Sequence, residues 1–105
     1  MDKVHLDTLT KNWTYLVENL QVREGLMDHL IEGGAISVDM VEAVTAEKGR
    51  REQVRVFLTR FTKCGPGAFD CLIHSLEQTQ PFIAEQLSRT VRELQSQKGN
   101  NLLCK

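Results

Sequence analysis

The side chains of this chain with the most reactive chemistry are Cys64, Cys71, Cys104, His5, His29 and His74. A thiolate nucleophile needs a base beside it, and a metal pair on a helix needs ligands at i, i+4. No His stands four residues from another His or from a Cys. Cys64 and Cys71 lie seven apart across a predicted helix start, a spacing that suits small buried hydrophobes. A Gln-Ala-Cys-x-Gly protease nucleophile motif is absent. Gly33-Gly34 and Gly65-Pro66-Gly67 are turn glycines without the Gly-Lys-Ser/Thr of a phosphate-cradling loop. Asp70 has no carboxylate partner in register. The expectation is a chain with no catalytic constellation, no metal site and no cofactor.

Charge placement is more informative. Glu24, Asp28 and Glu32 fall at i, i+4, i+8 and form one acidic line on a predicted helix, to which Asp39 and Glu42 add on the next. Arg51 and Arg55 are i, i+4 on a later helix, with Lys48 and Arg50 just upstream, Arg60 and Lys63 downstream, and Lys11 near the start of the chain. Fourteen acids against thirteen bases give a net charge of -1, so the chain is near neutral yet bipolar. Amphipathic helices put charge outside in any case, and blocks of like charge arise without a partner. Opposite patches on different helices also suit head-to-tail association, a heterologous contact that need not close and can build helical assemblies. Electrostatics there sets specificity and encounter rate and weakens with salt.

The elements that position these charges are helical. Leu6, Leu9, Trp13, Leu16, Val17 and Leu20 make one stripe, predicting a first helix over about 3–20. Val22, Leu26, Met27, Leu30 and Ile31 make a second stripe that stops at Gly33-Gly34. Ser37 is an N-cap candidate for a short third helix carrying Val38, Val41 and Val44, with Asp39 in its first turn. After Lys48-Gly49-Arg50, Val54, Phe57, Leu58 and Phe61 define a fourth. Gly65 is expected as its left-handed stop and Pro66 as the first residue of a fifth, whose apolar face is Phe69, Leu72, Ile73 and Leu76. Pro81 opens a sixth through Ile83, Leu87, Val91 and Leu94. Residues 98–105 carry no period and are expected as a tail or the start of a linker, leaving residues 1–97 as the domain. No segment alternates with period two for long, so the expectation is an all-α bundle of antiparallel helices.

Composition sets the outer bounds. The chain has 105 residues, one domain's worth, with 26% charged and 41% hydrophobic residues. A near-neutral balance argues against a nucleic-acid binder. No apolar run could span a membrane, and the charged start Met1-Asp2-Lys3-Val4-His5 has no signal core. The expected setting is cytoplasmic, where an odd count of three cysteines stays reduced.

Four stretches resemble the caspase recruitment domain family of the death-domain superfamily, over roughly residues 3–95. They are Gly65-Pro66-Gly67-Ala68-Phe69-Asp70, Leu16-Val17-Glu18-Asn19-Leu20-Gln21-Val22, Gly34-Ala35-Ile36-Ser37, and Arg50-Arg51-Glu52-Gln53-Val54-Arg55. The second and fourth are most similar to the prodomains of apoptotic initiator caspases. The resemblance implies a six-helix antiparallel Greek-key bundle, usually with a bent first helix. It implies homotypic binding to the recruitment domain of an apoptosome-type or other oligomeric adaptor, possible self-association into helical assemblies, and no nucleic-acid or membrane partner. Arg51 and Arg55 match the family's basic positions on the fourth helix, with Lys48, Arg50 and Lys11 completing the expected patch. Trp13 stands where the first helix would supply a base. Glu24, Asp28, Asp39 and Glu42 occupy the acidic helices. The resemblance also fits a stand-alone adaptor or decoy of the same fold. A thiol enzyme or redox sensor using Cys64 or Cys71 is the rival reading from another class.

Overall fold

The computed structural model describes the backbone of residues 1–22 and 24–103 and the side chains of residues 1–22 and 25–96. Among them are seven helices and no strand: α1 Lys3–Lys11, α2 Trp13–Asn19, α3 Glu24–Glu32, α4 Val38–Thr45, α5 Arg50–Phe61, α6 Ala68–Thr79 and α7 Pro81–Leu103. The predicted first helix is therefore two. The break falls at Asn12, which leaves helical geometry at φ -102°, ψ 16° and is buried. Its Nδ2 donates to Thr8 O at 2.9 Å and to Thr90 Oγ1 at 3.0 Å, and its Oδ1 accepts from Gln86 Nε2 at 3.0 Å. Asn side chains compete with the backbone for such bonds, and here α7 supplies the competing partners. The bend follows from a buried polar network spanning α1 and α7, and no buried side-chain polar atom is left unpaired among the described residues.

Local stop and start signals fix most of the other boundaries. α3 ends in a Schellman motif, with Ala35 N–H donating to Leu30 O at 2.9 Å and Gly34 N–H to Ile31 O at 3.0 Å. Gly34 sits at φ +76°, a conformation that favours glycine. Ser37 caps α4 as expected, its Oγ accepting from Met40 N–H at 3.4 Å. Gln80 O accepts from Ile83 and Ala84 N–H, which makes Pro81 the first helical residue of α7.

Two expectations change between α5 and α6. The left-handed residue is Gly67, at φ +89°, and not Gly65. Ala68 N–H donates to Gly65 O at 3.3 Å, so Gly65-Pro66-Gly67-Ala68 is a type II β-turn. Proline suits its second position and glycine its third. Pro66 thus belongs to the turn, and α6 begins two residues later at Ala68. At the other end of the chain α7 continues as helix to Leu103, where an aperiodic tail from 98 is expected.

The core forms along the predicted stripes, with shifts. Leu9, Leu16, Leu20, Leu26, Leu30, Val54, Phe57, Leu58, Phe61, Leu72, Leu76 and Leu87 are essentially buried. Phe57 and Phe61 stack with centroids 5.1 Å apart. Leu6 is 37% exposed and Val38 60% exposed, so neither joins the core. On α4 the inward face is Met40 and Val44, with Val41 half-buried. α7 packs against α6 and α1, α3 against α6, and α5 against both α2 and α4. At Gly33 a Cβ would overlap Cys71 Sγ, so this glycine lets α3 and α6 approach closely. α5 therefore lies between α2 and α4, the helix that carries Asp39 and Glu42.

Candidate interaction surfaces

The start of α5 puts the expected basic residues into different roles. Arg50 turns inward: its guanidinium donates to Val17 O at 3.1 Å, Leu20 O at 3.2 Å and Glu18 O at 2.9 Å. These carbonyls at the end of α2 otherwise lack helical partners, and a cation at a helix C-terminus also suits the macrodipole. Arg50 is half-buried, and its donors are committed within the molecule. Arg51 and Arg55 are exposed and point outward. Arg51 Nη2 lies 3.0 Å from Glu18 Oε2 on α2, and Arg55 Nη1 pairs with Glu52 Oε1 one turn back on α5. Lys48 stands exposed in the loop before α5, and Lys11 is exposed in the last turn of α1. Neither makes an ion pair among the described residues. Trp13 is half-buried against the core, so the position matched to a family base serves packing here.

The acidic residues are arranged differently. Asp28 on α3, with Asp39 and Glu42 on α4, is exposed and makes no ion pair among the described residues. The Glu24 side chain lies outside the described residues. Asp28 and the pair on α4 stand on helices docked to different neighbours, α6 and α5, and are joined by the Gly33–Ile36 turn. Asp39 lines a groove between α4 and α5 together with Ser37, Met40, Thr59, Arg60 and Lys63.

Two carboxylates that complete the basic region have no place in the sequence-derived patch. Glu52 and Arg55 form an i, i+3 helix pair, which their spacing could have shown. Glu18 and Arg51 are 33 residues apart, and only the docking of α2 on α5 joins them.

Among the described residues, Cys64 and Cys71 do not form a reactive centre. Burial pushes the Cys64 thiol up from its ordinary value, with the Met1 ammonium opposing more weakly. A raised pKa disfavours the thiolate, the reverse of what a nucleophile needs. Met1 N donates to Cys64 O at 3.1 Å, and Cys64 Sγ points at Arg60 O, 3.8 Å away. Cys71 is half-buried beneath Gly33, and Cys104 lies outside the described residues. His5 stacks on Phe69 at 4.3 Å, while His29 and His74 are exposed. Among the described residues no three His, Cys, Asp or Glu side chains group as metal ligands, and no helix is long and apolar enough to cross a membrane.

Comparison with known proteins agrees with this helical fold. The family model of the caspase recruitment domain matches residues 6–90. Caspase-2 of Gallus gallus is 34% identical over 110 residues, a stretch that covers 97% of this chain and 26% of that protein. The chain thus spans about a quarter of the relative's length.

Proposed function

This chain belongs to the caspase recruitment domain family, and from that membership we propose that it delivers an initiator caspase to an oligomeric adaptor during apoptosis. At the level of the family it is a homotypic interaction module linked to caspases, and the matched residues are a recruitment domain and not a catalytic one. In the proposed mechanism the cytoplasmic adaptor gathers several copies, and the attached proteases reach an effective concentration at which they dimerise. No chemistry is asked of this domain.

The outward basic residues at the start of α5 support the reading. Arg51, Arg55 and Lys48 are exposed within one helical turn or loop of each other, next to the α2 surface. They would meet an acidic face on the adaptor's recruitment domain. Asp28, Asp39 and Glu42 would offer the complementary face for a further copy, so that one domain can bridge two neighbours. Lys11 would extend the basic side from α1. Arg50 would act behind the patch, holding the helices that present it.

Purified recruitment domains of oligomeric adaptors provide the test. Arg51→Glu combined with Arg55→Glu is expected to abolish their capture in a pull-down while the far-UV circular dichroism stays that of the parent. Capture at the parent level would sink the reading.

A further inference from the structure

Both arginines proposed to meet a partner are already held by carboxylates of their own chain. Arg51 lies 3.0 Å from Glu18, and Arg55 pairs with Glu52. All four side chains are about half exposed, between 45% and 59%. We propose that Glu18 and Glu52 are specificity-determining residues: they stand in for the partner's carboxylates and must be displaced when an acidic surface binds. This inference rests on the basic patch being the partner-binding surface.

The geometry keeps the stand-ins close. Arg50 grips the backbone carbonyls of Val17, Glu18 and Leu20, so the residue that carries the Arg51 mask is fixed through its own main chain. Glu52 rides one turn from Arg55 on the same helix. Arg51 and Arg55 therefore face solvent with their charge locally balanced, while Lys48 has no ion pair among the described residues.

Displacement has a selective consequence. A lone carboxylate that replaces Glu18 exchanges one exposed ion pair for another, with little gain, because each such pair is weak. A rigid surface with several carboxylates at matching spacing displaces both stand-ins at once and gains from the second contact being intramolecular. The masks thus filter out diffuse or isolated acids in favour of a prearranged acidic face. Lys48 is left to attract acidic surfaces over a distance, an effect that falls with salt.

A fluorescent octaglutamate peptide, titrated at low salt, isolates the masking from the identity of the adaptor. Glu18→Gln and Glu52→Gln are each expected to tighten its binding by roughly two- to fivefold, the worth of one exposed ion pair. The Glu18→Gln gain should vanish in an Arg51→Gln background, and the Glu52→Gln gain in an Arg55→Gln background. Gains that persist in those backgrounds would reduce the effect to net charge and overturn the inference. Unchanged or weaker binding would overturn it too, as would an absence of peptide binding by every variant. Adaptor capture separates the two levels. Indifference to the Arg51→Glu, Arg55→Glu pair removes the functional reading. Capture that is lost on that reversal but unaltered by Glu18→Gln and Glu52→Gln removes the masking and leaves the reading in place.

Discussion

The corner where α2 meets α5 and the turn where α3 passes to α4 carry opposite charge and are held by opposite means. At the basic corner a guanidinium reaches across 30 or more residues to three main-chain carbonyls, and the neighbouring arginine pairs with Glu18. At the acidic turn the order is local: a Schellman stop at Gly34, an N-cap at Ser37, and a glycine that admits Cys71. The basic surface is polar glue with its charges partly matched, and the acidic surface is a backbone turn with its charges left open. If these are the partner-binding faces, as proposed, a partner would rearrange side chains at one and only desolvate them at the other. In the proposed head-to-tail contact the two halves would then differ in what they ask of a ligand: the basic half would demand displacement, and the acidic half would accept directly.

Arg50→Ala should strike this contrast hardest. It strips three charge-assisted hydrogen bonds from the end of α2 and is expected to lower the unfolding free energy by about 2 kcal/mol in urea denaturation. Asp28→Asn or Glu42→Gln, on the open acidic face, should change it by less than about 0.5 kcal/mol. Equal losses on the two faces would erase the distinction.

Gly33→Ala tests the packing that holds the acidic turn. Its added Cβ forces the Cys71 thiol aside, at an expected cost of about 1.5 kcal/mol. Gly33→Ala with Cys71→Ala should recover much of that loss, because the obstructing sulfur is gone. A double variant no better than the single one would place the strain in the backbone. A smaller effect than that of Gly33→Ala is expected from Ser37→Ala, which removes the α4 cap and should cost about 0.5–1 kcal/mol, read from the shift in thermal midpoint. A larger effect than that of Gly33→Ala would mean that the cap and not the close approach governs the turn.

Much of the helical layout could be read from single residues. Ser37, Gly34 and Pro81 each act within one turn of their own position, and the structure places all three as caps or starts. Phe57, Leu58 and Phe61 fall on one face at helical spacing and are buried together. The errors arose where a local signal had two local solutions or none. Gly65 and Gly67 are both plausible left-handed residues, and the type II turn around Pro66 selects Gly67. At Asn12 the local stop signal, Asn after Lys11, is weak inside an unbroken apolar stripe, and only the family resemblance implied a bend; the groups that bend the chain there, Thr90 and Gln86, come from α7.

The sequence by itself determined the periodicity that makes six helical segments, the caps that separate most of them, and the split of charge between α3–α4 and α5. These depend on neighbours three or four positions away, and helical pitch fixes where those neighbours lie. Only the tertiary structure decided what each charge does. Arg50 and Arg51 are adjacent and chemically alike, yet a turn of about 100° between them sends one into the end of α2 and leaves the other outside. Which arginine clasps and which presents depends on α2 being docked against α5, a contact between residues 30 to 33 positions apart that no local spacing encodes.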